Sequence, residues 1–417
     1  MNDLEKRKQV YGICGECNEP GTGIEWCQSC NAKRFKDNFI NWTSGNKDID
    51  EFLQQSQLNA VYYKTYLEWI PFKNFKDITY ITKGGFGKIY SAEWPEGCID
   101  SWDIENQEWK KCVDIKVALK SLDNSSCLST EFLNEIKSHL QIYLCDVIQC
   151  FGITQDPNTK DYMMVLQYCE NGNLRNYYIN NESNYESKIL DLKDIAAGLL
   201  DIHNAGKVHK DFHSGNILYQ GNLTYISDLG MCQPANNEKQ SVKQEGIYGV
   251  LPYMAPEILR GYQYTQASDI YSFGIIMNEY ISEETPYNNI PHNHALAIKI
   301  CKGLRPNIFK YTPKLLADLI NKCWDAKAEN RPTAKELYQS LKKLHNVNEY
   351  NNKIKLNRTS EKRSKNIQTH SQAIYTSRLL NFKNLPEPVN SVSEGFDCQL
   401  DESYLNEMNQ DDENNIE

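Results

Sequence analysis

The chain contains no run of about 18 apolar residues, so nothing in it reads as a bilayer span. It has no excess of positive charge either. Lys and Arg number 45 against 55 Asp and Glu, a formal net charge of −10, which argues against a general binder of nucleic acid or anionic membrane, since that would need a basic face. The first residues, Met1-Asn2-Asp3-Leu4-Glu5-Lys6-Arg7-Lys8, are charged and lack the apolar core of a secretory signal. These absences predict a soluble cytoplasmic protein, with a nuclear one left open, in which most of the 14 cysteines are reduced. A length of 417 residues allows one large domain with flanking pieces but not two large domains.

What is present begins with four organised cysteines. Cys14-Gly15-Glu16-Cys17 and Cys27-Gln28-Ser29-Cys30 are two Cys-x-x-Cys pairs, joined by a linker with the turn signal Pro20-Gly21-Thr22-Gly23. Four thiolates at this spacing suit tetrahedral zinc, each pair chelating from one tight turn, with disulfides as the alternative. Phe35, Phe39 and Trp42 follow at helical spacing, so the second pair is expected to open a short helix over the metal. Lys33, Arg34 and Lys36 read as a solvated helix face, with nucleic-acid contact the weaker reading.

The densest chemistry lies in Val208-His209-Lys210-Asp211-Phe212-His213-Ser214-Gly215-Asn216, followed by Asp228-Leu229-Gly230. Asp211 can accept a hydroxyl proton, while Asn216 and Asp228 are oxygen ligands suited to a hard divalent cation. Upstream, Ile81-Thr82-Lys83-Gly84-Gly85-Phe86-Gly87-Lys88-Ile89-Tyr90 offers glycines that let backbone N–H groups approach phosphates. Val117-Ala118-Leu119-Lys120 is a short apolar strand ending in a lysine, and such a lysine needs a partner. Glu135 is the candidate partner, on a helix-like run with Phe132, Leu133 and Ile136 on one face and Glu131 as rival. Tyr253-Met254-Ala255-Pro256-Glu257, Ser268-Asp269-Ile270-Tyr271-Ser272-Phe273-Gly274 and Asn330-Arg331-Pro332 complete the series.

In this order the strings resemble the motifs of the eukaryotic protein kinases, from Phe75 to about Leu344. The resemblance implies an α+β, bilobal fold, with a small β-rich lobe carrying one key helix and a large mostly helical lobe; the cysteine spacing adds a small zinc-binding module ahead of both. It divides the chain into a zinc module over 1–45, a helical linker over 46–74, a kinase domain over 75–345 and a disordered tail over 346–417. The small lobe runs over about 75–168 and the large lobe over about 169–345. It implies protein kinase activity with ATP and Mg2+ as cofactors and a protein substrate, while the structural Zn2+ expected beside them rests on the cysteine spacing. Asp211, Lys120, Glu135 and His213 take catalytic roles, and Asn216 and Asp228 hold magnesium. Ile81, Thr82, Gly84, Gly85, Phe86, Gly87, Ile89, Ala118, Lys120, Leu166, Gln167, Cys169 and Leu218 line the nucleotide. Glu257 and Arg331 are expected to form a bidentate ion pair, and Asp269 to bond the backbone around Asp211.

Three departures stand out: Thr82 for a glycine, Lys210 for the arginine of His-Arg-Asp, and Leu229 for the phenylalanine of Asp-Phe-Gly. None touches a group that ligates metal or moves a proton, so an active enzyme is expected, with a pseudokinase scaffold as the alternative. The Phe212-His213-Ser214 version most resembles the tyrosine-kinase-like serine/threonine group. Val250 stands where serine/threonine kinases usually place a threonine, which leaves tyrosine or dual specificity open. Ser241 and Tyr248 are candidate activation-segment acceptors, with Lys210, Lys239 and Lys243 to receive the phosphate; modest dependence on it is expected because lysine lacks arginine's fork.

The flanks are read from composition. Residues from Asp48 to Pro71 suggest one or two amphipathic helices packed on the small lobe. Trp94, Trp102 and Trp109, with a turn at Glu105-Asn106-Gln107, suggest an added small-lobe hairpin, with partner contact as the lesser alternative. After Leu344 a basic patch (Lys353 to Lys365) and an acidic end predict disorder, with Leu379, Leu380, Phe382 and Leu385 as a weak docking motif.

Overall fold

Period-two and helical patterns separate cleanly along the chain, and they build two lobes. The computed structural model describes residues 3–83, 87–122, 129–142, 146–181, 184–235, 246–346 and 369–391. The expected sites at Gly84, Gly85, Phe86, Lys239, Ser241 and Lys243, and the basic patch and acidic end of the tail, lie outside those residues.

Among the described residues the small lobe holds eight strands: β1 (Glu68–Trp69), β2 (Lys76–Lys83), β3 (Gly87–Trp94), β4 (Cys98–Asp103), β5 (Glu108–Cys112), β6 (Ile115–Leu122), β7 (Cys150–Gln155) and β8 (Tyr162–Gln167). Six of them form one sheet in the order β1-β7-β8-β6-β3-β2, and β4 and β5 form the added hairpin. Alternation along β6 decides which residues face where. Val117 and Leu119 join Ala92, Trp94, Met163 and Val165 in one core. The opposite face carries Ala118 and Lys120, level with Leu166 and Met164 on β8.

Helices α1 (Asp3–Tyr11), α2 (Gln28–Asn38) and α3 (Lys47–Leu58) precede the sheet, and α4 (Thr130–Gln141) lies against it. Ile49 and Leu53 of α3, with Leu67, share a core with Phe132 and Ile136 of α4. Segment 46–74 is thus not helical throughout, because it also supplies β1, which pairs parallel with β7. Gly152 permits that approach: a Cβ there would lie 2.0 Å from Glu68 O. The cysteine module is likewise no separate bead. Trp26 stacks on Tyr66 and on Trp109 of the hairpin, and Phe35 stacks on Trp109 and packs at a tilt against Tyr66.

The large lobe contains α5 (Leu174–Asn180), α6 (Tyr185–Asn204), α7 (Pro256–Leu259), α8 (Gln266–Ser282), α9 (His294–Cys301), α10 (Lys314–Cys323) and α11 (Ala334–Asn346). Short strands β9 (Lys207–Val208), β10 (Ile217–Gln220), β11 (Leu223–Ile226), β12 (Gln233–Pro234) and β13 (Ile247–Gly249) frame its upper face. Helix α8 is buried from Ser268 through Ile281, which explains its apolar character all round. Among the described residues no helix is long and apolar enough to cross a membrane.

One stretch of the tail departs from the expected disorder. Residues 369–391 lie on the large lobe, and β14 (Arg378–Leu380) pairs antiparallel with β13. Leu380 is buried in the lobe's core, where Tyr375, Phe382 and Leu385 also pack. Individually these side chains fill pockets on another surface, so together they show no period of their own.

Candidate active site

Lys120 sits on β6 with its ammonium buried between two carboxylates. Its Nζ lies 2.6 Å from Glu135 Oε1 and 2.8 Å from Asp228 Oδ1. Burial alone would lower its proton affinity, but Asp228 and Glu135 more than offset that and raise it. Helix α4 presents Glu135 because Ser129 caps it, accepting from Phe132 N, and because Phe132 and Ile136 anchor its inner face. Glu131, the rival, is exposed. One turn beyond Glu135, buried His139 donates through Nδ1 to Ile148 O at 3.0 Å, while its Nε2 has no hydrogen-bond partner among the described residues.

Asp211 is placed from below by α8. Asp269 accepts from His209 N at 2.8 Å, from Lys210 N at 3.1 Å and from His203 Nε2 at 3.0 Å. Lys210 takes a left-handed backbone (φ 72°) that turns Asp211 inward. Asn216 Nδ2 donates to Asp211 O at 2.9 Å, and Ser227 N donates to Asn216 O at 2.8 Å, so Asn216 and Asp228 come from adjoining backbone. Asp228 is itself left-handed (φ 61°). Burial raises the Asp211 carboxyl, yet His213 and the hydrogen bonds from His213 and Ser377 hold it down to about 2. Asp211 Oδ1 is buried with no partner among the described residues. The donor set fits magnesium: a carboxylate from Asp228, the amide oxygen of Asn216, and no soft ligand.

His213 Nδ1 accepts from Gly215 N at 3.0 Å, so the neutral ring carries its proton on Nε2, 3.6 Å from Asp211 Oδ2. The residues expected to face a nucleotide divide by element. Ile89 opposes Lys120, and Ala118 opposes Leu166, which sets all four on one face of the sheet. Gln167 ends β8 and Cys169 follows it, Leu218 lies on β10, and Ile81 and Thr82 lie on exposed β2. Gly87 opens β3, where a Cβ would lie 1.8 Å from Ser121 O.

Two buried clusters support the loop. Arg331 forms the expected fork on Glu257, at 2.6 and 2.8 Å. The second cluster has no counterpart among the sequence motifs. Arg175 donates to Ser214 Oγ (3.1 Å) and Tyr253 Oη (3.0 Å), and Glu279 accepts from Tyr178, Ser214 and Tyr253 at 2.7–3.0 Å. The available signal was Glu279 alone in the apolar run of α8, since a charge in a buried helix requires partners.

In the N-terminal module Cys14 Sγ lies 3.9 Å from Cys30 Sγ, and Cys17 Sγ 3.6 Å from Cys27 Sγ. All four sulfurs lie within 4.8 Å of one another. Sulfurs about 2.3 Å from a tetrahedral zinc would sit roughly 3.8 Å apart, so the cluster is compatible with zinc. Isolated bridges Ile13–Pro20 and Gly23–Trp26 form the two turns. Arg34 is spent internally on Glu16 and on the Trp102 ring, 4.1 Å away, and this removes it from the basic face.

A family model described as protein tyrosine and serine/threonine kinase matches residues 75–341. Among curated proteins the chain is similar to the dual specificity protein kinase shkA of Dictyostelium discoideum, 29% identical over 241 residues, covering 56% of this chain and 45% of that protein. A probable LIM domain-containing serine/threonine-protein kinase of the same organism is 31% identical over 190 residues, 45% of this chain and 29% of its own length. The tyrosine-protein kinase SPK-1 of Girardia tigrina is 24% identical over 280 residues, 64% and 53% respectively. The chain thus spans about half or less of the length of these relatives.

Proposed function

The chain belongs to the protein tyrosine and serine/threonine kinase family, and from that premise we propose that it transfers the γ-phosphate of ATP to serine and threonine hydroxyls of proteins in intracellular signalling. The observation that carries an active enzyme over a scaffold is Lys120 bridging Glu135 and Asp228 at 2.6 and 2.8 Å. A scaffold has no need to hold this buried charge cluster together.

In this reading Lys120 holds the α- and β-phosphates and Glu135 holds Lys120. Asn216 and Asp228 hold magnesium, which when bound neutralises phosphate charge. Asp211 accepts the acceptor's proton at Oδ2, and His213 donates from Nε2 to a γ-phosphate oxygen. Ile89, Ala118, Leu166 and Leu218 enclose the adenine, whose edge meets the backbone at Gln167 and Cys169. Serine/threonine preference follows from Phe212-His213-Ser214, and phosphoamino-acid analysis of a mixed acceptor tests it; phosphotyrosine as the main product rejects it. The four cysteines hold one structural zinc, and the reaction is placed in the cytoplasm.

Asp211→Asn is expected to reduce transfer by roughly 10²–10⁴-fold with nucleotide affinity unchanged. Asp228→Asn should instead weaken magnesium-dependent nucleotide binding. Transfer at the wild-type rate by both variants refutes these roles.

A further inference from the structure

Residues 369–391 cross the large lobe in the manner of a bound peptide, and one of their hydroxyls ends at Asp211. Ser377 Oγ donates to Asp211 Oδ2 at 2.5 Å, with His213 Nε2 at 3.4 Å. Anchors on both sides fix which residue arrives there. Before it, the Tyr375 ring lies under Arg175, whose guanidinium is 4.5 Å from the ring centroid, and its hydroxyl donates to Pro286 O at 2.8 Å. After it, Gly249 pairs with Arg378 and Ile247 with Leu380, so the segment is held to β13 by ladder hydrogen bonds. Farther on, the Phe382 ring stacks on His294 at 5.7 Å, and Glu387 forms a fork with Arg260. Thr376, the neighbouring hydroxyl, faces solvent.

We propose that 369–391 is an acceptor peptide bound in cis: Ser377 is phosphorylated at the chain's own Asp211 site, and until then the segment bars other acceptors from it. The proposal rests on the kinase reading above. A segment that only blocked the site would need no hydroxyl at position 377. Here the hydroxyl is present and donates to the carboxylate oxygen that would take its proton.

In the step, Ser377 Oγ bonds to the γ-phosphorus of ATP while the bond from that phosphorus to the β–γ bridging oxygen breaks. ADP leaves with the electron pair, and the Ser377 proton passes to Asp211 Oδ2. The product has lost the donor that held Ser377 to Asp211 and carries about two negative charges beside that carboxylate. Repulsion then lifts the segment, and the site opens to other proteins.

The test uses the full chain with magnesium ATP, phosphosite mapping over time, and a generic basic protein as exogenous acceptor. Ser377 is expected to be phosphorylated first, at a rate independent of protein concentration, with exogenous transfer accelerating after a lag. Ser377→Ala should keep exogenous transfer at its initial slow rate. Leu380→Asp, and independently Glu387→Lys, loosen the tail and should abolish the lag, raising the initial exogenous rate about tenfold or more. Ser377 left bare while exogenous acceptors are phosphorylated overturns the proposal alone, as does a Ser377 rate proportional to protein concentration. No transfer to any acceptor by wild type and loosened variants alike overturns the kinase reading and the proposal together.

Discussion

His139 should make the stability of this protein fall as the solution turns acidic, by an amount that follows from its surroundings. Burial is the main cause that lowers its pKa from 6.5 to about 4, with the nearby Lys120 charge adding to it. The unfolded chain takes up a proton as pH falls through about 6.5, but the folded chain does so only near 4. Stability from this residue is therefore full above the unfolded value and declines between the two, because there the unfolded state binds more protons. At about 1.4 kcal/mol for each pH unit crossed between the unfolded and folded values, the loss comes to about 2 kcal/mol at pH 5 relative to pH 7, and about 3 kcal/mol below pH 4. Asn in its place keeps a donor where Nδ1 meets Ile148 O but cannot be protonated. Urea denaturation of wild type and His139→Asn at pH 7 and pH 5 measures the difference. The variant should lose about 2 kcal/mol less between the two pH values; equal losses within about 0.5 kcal/mol refute the argument.

Further outcomes follow from the cysteine cluster and the Arg331 fork. Protein purified without chelators should carry one zinc per chain, worth on the order of 10 kcal/mol of apparent binding free energy. Cys14→Ser with Cys27→Ser should release it and raise protease sensitivity in residues 3–45 and also in the hairpin that Trp26 and Phe35 cover; metal analysis finding no zinc would count against the site. Arg331→Lys keeps the charge but loses the fork on Glu257 and the bonds to Asp325 O and Ala267 O. About 2 kcal/mol should be lost, read by calorimetry as a Tm lower by roughly 5 °C, and a Tm within 1 °C of wild type contradicts it.

The site was legible where chemistry is written in contiguous strings. Lys120 meets Glu135, Glu257 meets Arg331, and Asp269 bonds the backbone before Asp211, all as the residue types require. Burial separates Glu135 from Glu131, which sequence periodicity could not. The hairpin also matches its reading: β4 and β5 flank a turn in which Gln107 takes the left-handed backbone (φ 56°). The tail reads as disordered because a composition average over 346–417 dilutes Leu380, Phe382 and Leu385, which the sequence offered only as a weak docking motif and which pack on the large lobe. Strand β1 was missed because two residues carry no period. Arg175 and Glu279 lie 104 positions apart, and nothing local names either as the other's partner.

The contact between α3 and α4 changes what counts as the working unit. Ile49, Leu53 and Leu67 share one buried core with Phe132 and Ile136, yet all three precede residue 75, where the family match begins. A fragment cut at that match would strip β1 from β7, leaving a raw sheet edge prone to pairing with other chains. It would also remove the backing from the helix that carries Glu135. Each of those apolar side chains is worth about 1.5–3 kcal/mol when fully buried. Support for the helix that carries Glu135 thus comes from a region that lies outside the family match.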